Sequence, residues 1–195
     1  MRMRLTEIRV AGFGGQGVIL AAMVIGKAAS IFQGGHATMT QNFGPESRGG
    51  ACSAQVILSG DPILYPYVTS PDILVAMSQE AYTRFAPELK PGGLLLVEQD
   101  LVGLGKRPEG ARVYGIPATR LAEELGRRMV LNVVMVGFFA SVAGLLEEQA
   151  LRAAVEDSVP PAFRELNLKA FQKGFEYGTT SLPAAEESET VHPSV

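Results

Sequence analysis

The chain has 195 residues, a formal net charge of −3, 47% hydrophobic residues and only 19% charged ones. A length near the usual domain size predicts one domain that buries roughly 70% of its unfolded surface and needs no metal or disulfide staple. Average soluble domains carry about 25% charged residues, so the thin polar cover predicts apolar surface that meets partner chains, and mild acidity without basic clusters argues against nucleic acid as a ligand.

Leu5 to Ala11 reads as a first strand, with Ile8 and Val10 alternating with Glu7 and Arg9. Gly12 to Gly17 is a glycine-rich turn. Val18 to Phe32 is a helix that is apolar nearly all round, which predicts burial on every side, and Gly34 and Gly35 end it. His36 to Gln41 is a short strand, Asn42 to Gly50 a loop, and Ala51 to Leu58 a further strand. Ile73 to Met77 and Leu94 to Glu98 are apolar runs of the buried parallel kind, with a short helix, Gln79 to Ala86, between them. Arg112 to Ile116 is one more strand. Helices are expected over Thr119 to Gly126, Asn132 to Leu145, Glu147 to Asp157 and Phe163 to Tyr177. Strands alternating with helices predict a Rossmann-like, mostly parallel, doubly wound α/β sheet flanked by helices over residues 1–178. Residues 179–195, rich in Ser, Pro, Glu and Ala, are expected to form a mobile tail.

Gly12-Phe13-Gly14-Gly15-Gln16-Gly17 matches G-x-G-x-x-G between a strand and a helix. Such a turn lets backbone approach a phosphate, and the helix N-terminus offers N–H groups and a positive dipole end. A dinucleotide site also wants an acid about 20 residues on, at the end of the second strand. Here that strand ends at Thr40, Gln41 and Asn42, and no carboxylate appears until Glu46, so a nicotinamide or flavin site lacks its companion. The loop Gly44-Pro45-Glu46-Ser47-Arg48-Gly49-Gly50 is expected at the same rim as the glycine turn. There Arg48 offers a planar fork for carboxylate or phosphate, unless it serves only to pair with Glu46.

Gly-Phe-Gly-Gly-Gln-Gly at 12–17 followed by Gly-Pro-Glu-Ser-Arg-Gly-Gly at 44–50 resembles the γ subunit, or γ domain, of 2-oxoacid:ferredoxin oxidoreductases. The likeness continues through Pro71-Asp72-Ile73-Leu74-Val75, Leu89-Lys90-Pro91-Gly92-Gly93, Asn132 and Asn167-Leu168-Lys169-Ala170-Phe171, and covers about residues 5–178. The resemblance implies a complex that oxidatively decarboxylates a 2-oxoacid with coenzyme A, giving an acyl-CoA, carbon dioxide and reduced ferredoxin. Its α, β and ferredoxin-like δ subunits would hold the thiamine diphosphate, Mg and iron–sulfur clusters. This chain would bind none of these by itself and would be inactive alone. An indolepyruvate-type small subunit is a near neighbour of this reading, and a free-standing NAD(P)-linked oxidoreductase the more distant one. Candidate binding residues for coenzyme A, or for a partner surface, are Gly12, Gly14, Gly15, Gln16, Gly17, Glu46, Ser47, Arg48 and Gly49; no catalytic residue is assigned.

The single cysteine, Cys52, cannot hold an iron–sulfur cluster and reads as a small core residue. His36 and His192 lie far apart, and no metal-ligand spacing exists. His36 reads as a strand-end residue. Met23, Met39, Met77, Met129 and Met135 read as core or interface filler. Tyr65 and Tyr67 sit in a proline-flanked loop that covers either a partner or the domain's own sheet. Glu123, Glu124, Arg127 and Arg128 read as a solvated helix face. No apolar leader opens the chain and no apolar run reaches the ~18 residues of a membrane span. A cytoplasmic chain that self-associates when its partners are missing is expected.

Overall fold

The structure, a computed structural model, describes residues 3–43 and 51–186. One six-stranded sheet organises it, with strands β1 (Thr6–Phe13), β2 (His36–Phe43), β3 (Ala51–Ser59), β4 (Ile73–Ala76), β5 (Leu94–Glu98) and β6 (Arg112–Ile116) in the spatial order β2-β3-β1-β4-β5-β6. β1, β4, β5 and β6 run parallel, as their apolar runs predict. β3 is antiparallel to both β1 and β2.

That antiparallel strand departs from the doubly wound expectation. Parallel strands need a crossover of roughly a dozen residues or more, and residues 44–50 are too few. β2 and β3 therefore form a hairpin, and β3 takes the place beside β1 that a second parallel strand would hold.

Helix α1 (Val18–Lys27) continues as a π-helical turn, Ala28–Phe32, and closes where the Gly35 N–H donates to the Ala29 carbonyl at 2.9 Å. Burial all round holds only for its first part. Ile31 at the far end is 63% exposed and Phe32 also faces solvent, because the turn has by then run past the sheet it covers. Helix α2 (Gln79–Phe85) starts at Ser78, whose Oγ accepts the Ala81 N–H at 3.2 Å. Helices α3 (Ala118–Glu124), α4 (Leu131–Ala143), α5 (Glu148–Ser158) and α6 (Arg164–Glu186) complete the chain. The last helix runs well beyond the expected Tyr177, through residues assigned to the tail; residues 187–195 lie outside the described ones.

The two faces of the sheet are unequally covered. Ile8, Val10, Ile73, Val75, Leu94 and Leu96 pack against α1 and α3 to α6, while Ala11, Leu74, Ala76, Leu95 and Val97 pack against α2 and the residues Ala86, Leu89 and Val102 that follow it. On this second face Arg9 is buried, paired with Glu88 at 2.9 Å and lying over the Phe85 ring at 4.4 Å. The loop after β3 crosses the same face. It is held through Gln55 Oε1, which accepts the Val68 N–H, and through Arg9, which donates to the Val68 carbonyl. Tyr65 and Tyr67 in that loop stack edge to face and stay exposed.

Core packing on the thick face depends on backbone contact. Phe138 and Phe171 are fully buried, each contributing about 1.5–3 kcal/mol. They are brought together because α4 and α6 cross at glycines. A Cβ on Gly137 would overlap the Phe171 carbonyl, and one on Gly174 would overlap the Val134 carbonyl.

At the N-terminal rim of the sheet Lys90 Nζ bonds both Glu7 Oε2 and Asp72 Oδ1 at 2.9 Å, and Asp72 Oδ2 accepts the Glu7 N–H at 2.8 Å. The motif residues Asp72 and Lys90 thus meet to tie the starts of β1 and β4. Among the described residues no helix is long and apolar enough to cross a membrane.

Two outcomes are expected. Gly174→Ala lowers unfolding free energy by about 3 kcal/mol in a denaturant titration, because a carbonyl of the neighbouring helix has no room to move aside. The second concerns Lys90. Partial burial lowers its pKa, but bonds to Glu7 and Asp72 outweigh that and raise it above the ordinary 10.5. Its contribution is therefore fully present below pH 10.5 and lost as pH rises through the raised value. Wild-type stability should fall over that alkaline range more than that of Lys90→Met.

Candidate functional site

β1 extends through Gly12 to Phe13, two residues further than expected, so the turn proper is Gly14 to Gly17. Gly12 lies in the strand, and its missing side chain leaves room for Gln16, whose Oε1 a Cβ there would overlap. Gln16 braces the turn. Its Oε1 accepts the Phe13 N–H at 2.6 Å and its Nε2 donates to the Met77 carbonyl, at the end of β4, at 2.8 Å. The Gln16 N–H donates to the Phe13 carbonyl at 3.1 Å. The Gln16 backbone donor is engaged within the turn, and its amide spends one of its two N–H groups on Met77. Gly15, at φ 98, has open space where a Cβ would stand.

Gly17, at φ 73, caps α1 without a side chain. Its carbonyl accepts the first helical N–H, from Ala21 at 3.0 Å, and the Asn132 Nδ2–H at 3.3 Å. A Cβ there would lie 2.6 Å from Asn132 Cγ. Asn132 is 3% exposed and opens α4, so one amide joins the N-terminal ends of two helices.

The turn sits where the sheet changes hands. α1, which follows β1, packs on one face and α2, which follows the neighbouring β4, on the other. Ligands of open α/β sheets bind at such a switch point, beyond the carboxyl ends of the strands. Beside it a cavity of about 280 Å³ opens, lined by Gly15, Gly17, Arg127, Asn132, Phe163 and Asn167 among others. Asn167 uses its Nδ2 on the Phe163 carbonyl at 2.9 Å. The walls are chiefly apolar, and Met129, 79% exposed, stands at the cavity, so of the two roles expected for it, core or interface, the core one does not hold. Arg127, expected on a solvated helix face, lies past the end of α3 and lines the cavity.

The second loop is placed through its ends. Phe13 of β1 pairs with Ala51, and Phe43 of β2 pairs with Cys52. The chain therefore leaves β2 and enters β3 at the rim where β1 turns into Gly14. Glu46, Ser47, Arg48 and Gly49 themselves lie outside the described residues. β3 stands between β1 and β2, so the end of β2 is not the position a ribose-binding acid would take. Cys52 is buried, and burial raises the pKa of its thiol. Among the described residues no three His, Cys, Asp or Glu side chains are grouped to hold a metal. His36 opens β2 opposite Ser59.

Strand, glycine turn and helix at the switch point of a mostly parallel sheet define a Rossmann-like α/β domain. Residues 7–177 match the family of pyruvate ferredoxin/flavodoxin oxidoreductases, and the chain belongs to that family. It is 49% identical over 176 residues to the 2-oxoglutarate synthase subunit KorC of Methanothermobacter thermautotrophicus, covering 87% of this chain and 93% of the relative. It is 45% identical over 172 residues to the KorC subunit of Methanocaldococcus jannaschii, covering 87% and 92%. The γ subunit of a keto/oxoacid ferredoxin oxidoreductase from Geobacter sulfurreducens superposes with a TM-score of 0.82 at 40% identity, covering 90% of this chain and 97% of that one.

The turn geometry separates its two left-handed glycines. Gly15→Ala should cost about 1–2 kcal/mol for the backbone conformation alone. Gly17→Ala should cost about 3 kcal/mol or more, because its Cβ also displaces Asn132. Urea denaturation of the two variants checks the order.

Proposed function

We propose that this γ-type chain serves in a complex that oxidatively decarboxylates 2-oxoglutarate with coenzyme A, releasing carbon dioxide, forming the acyl-CoA and passing electrons singly to ferredoxin. Support comes first from its relatives, which match along most of both chains and are 2-oxoglutarate synthase subunits. The observation that carries the reading to a site is the glycine turn at the switch point, with both ends of the 44–50 loop beside it.

Partner α, β and ferredoxin-like δ subunits complete the complex. The residues of this chain do not fit an iron–sulfur cluster, since its one cysteine is buried, and no electron step is routed through it. Thiamine diphosphate on the partner subunits supplies the carbanion chemistry of decarboxylation. This chain's part is to present coenzyme A. The N–H groups at the start of α1 face the switch point with the positive end of the helix dipole, and Gly15 leaves its outer side open for a phosphate to approach. Arg48, in the segment whose flanking strand ends lie at this rim, is the guanidinium proposed to add a charged fork. The apolar cavity beside Gly17 suits the slender uncharged arm of the coenzyme, with Asn132 and Asn167 the polar groups along it. An isolated chain on this reading turns over no substrate.

In the assembled complex Arg48→Ala should raise the KM for coenzyme A several-fold and leave the KM for 2-oxoglutarate unchanged. A KM for coenzyme A equal to wild type would discard the ligand role, and a complex that prefers pyruvate over 2-oxoglutarate would discard the substrate assignment.

A further inference from the structure

We infer that the N-terminal rim of the sheet holds a second anion site, for a small oxyanion of the phosphate or carboxylate class carrying at least two negative charges. The site is a cavity of about 470 Å³ lined by Arg4, Lys90 and Arg112, with Asp72 as its one lining carboxylate and Leu5, Ile73 and Leu94 among its apolar walls. It lies at the opposite ends of the strands from the glycine turn, since Leu94 and Arg112 begin β5 and β6 and pair with each other.

Three features distinguish this cavity from an ordinary charged surface. Its charge is net positive even when Glu7, the other partner of Lys90, is counted, in a chain whose net charge is −3. Its central cation is preorganised. Lys90 Nζ is fixed by two carboxylates at 2.9 Å and the backbone around it by Lys90 N–H to Pro71 O at 3.0 Å and Gly93 N–H to Lys90 O at 2.8 Å. Its two guanidinium groups are uncommitted: among the described residues Arg4 and Arg112 make no ion pair and no side-chain hydrogen bond. Each is nonetheless seated on ordered backbone, Arg4 through its carbonyl, which accepts from Thr6 Oγ1 at 3.1 Å, and Arg112 through its N–H, which donates to Gly93 O at 2.9 Å. Gly92, at φ 73, carries no Cβ and has nothing within 4 Å on that side, so the floor is open to a ligand. Two planar forks and an ammonium around one hollow suit an oxyanion that accepts several charge-assisted bonds at once.

The probe is inorganic pyrophosphate, titrated into the ¹⁵N-labelled full chain, with Arg4→Gln/Arg112→Gln as the comparison. Saturable shifts at Gly92, Gly93, Leu94 and Arg112, weakened about tenfold or more in the double variant, are expected, with thermal melting unchanged because both side chains are exposed. Pyrophosphate also matches the phosphate-binding role proposed for the glycine turn, and shifts at Gly14 to Gly17 report on that site separately. Shifts confined to the glycine turn, non-saturating shifts at the N-terminal rim, or equal affinity in the double variant would each overturn the inference. Inorganic phosphate in place of pyrophosphate should bind the same residues more weakly; equal binding by chloride would mark simple screening and also overturn it.

Discussion

The absence of one side chain, at Gly17, sets the relation between the sheet and the helical layer that covers it. The residue must be left-handed to turn β1 into α1, and its carbonyl must be bare to receive the Asn132 amide. With those two conditions met, α1 and α4 begin at the same point above the carboxyl ends of the central strands. α4 is buried along almost its whole length, between the sheet and α6, and meets α6 through a second set of bare backbone positions, Gly137 and Gly174. Side-chain volume added at either junction would push α4 outward, and the layer built on it would follow. Dispersion between close backbones is small per atom and large in sum, so a helix as apolar as α4 is held in one orientation by these backbone contacts together with the single amide bond from Asn132 at its start.

The two rims of the sheet are built from different chemistry. At the amino-terminal rim a lysine and two carboxylates tie separate segments together, in partial contact with water, where such pairs contribute modestly and fix geometry more than they stabilise. At the carboxyl-terminal rim the described side chains that shape the turn are neutral amides, Gln16 and Asn132, which bond to the protein's own backbone. Amides brace a backbone without competing for its dipole. The donors that remain at the start of α1 keep their full pull on an anion, whereas a built-in carboxylate there would occupy them. Neutral bracing and a free helix end are two sides of one arrangement.

Much of this could be read from the residues, and what could not has physical causes. The runs Leu94 to Glu98 and Arg112 to Ile116 became strands with the expected ends, since turn residues bound both. The glycine motif was placed correctly, but Gly12 was counted as turn because a G-x-G-x-x-G pattern does not say where pairing stops; pairing with β3 carries the strand to Phe13. Strand, loop and returning strand over 36–58 were legible, and residues 44–50 are too few for a crossover; what the mostly parallel pattern did not say is that the returning strand sits beside β1, between it and β2. Helix α6 outran its expected end because Gly178, a breaker by propensity, is needed there for close approach to Ser141. Asn132 and Asn167 carried no signal of proximity. They meet at one cavity only because α4 and α6 both start there, a fact of tertiary packing that no local period encodes. Glu46 to Gly49, the most distinctive residues in the sequence, fall outside the described part of the chain, and only the strand ends on either side locate them.

Unequal covering of the sheet bears on why such a chain works as a subunit. One face is closed by five helices and the other by a single short helix and a loop, and that loop exposes Leu64 at 95% together with Tyr65 and Tyr67. Elsewhere Ile31 and Phe32 stand at the end of the π-helical turn, and Met129 and Phe163 at the mouth of the cavity. Scattered single apolar residues need no explanation, but aromatic and long aliphatic side chains gathered at three separate places raise the cost of leaving the chain in water. A buried arginine under the thin face argues in the same direction. Arg9 engages Glu88, the Val68 carbonyl and the Phe85 ring, with its buried Nε left unpaired, so the loop is anchored from beneath while its tyrosines face outward. A loop held rigid by its buried side and left apolar on its outer side gives a neighbour a fixed surface to bind at little further ordering cost, in keeping with the role proposed for this chain inside a larger assembly.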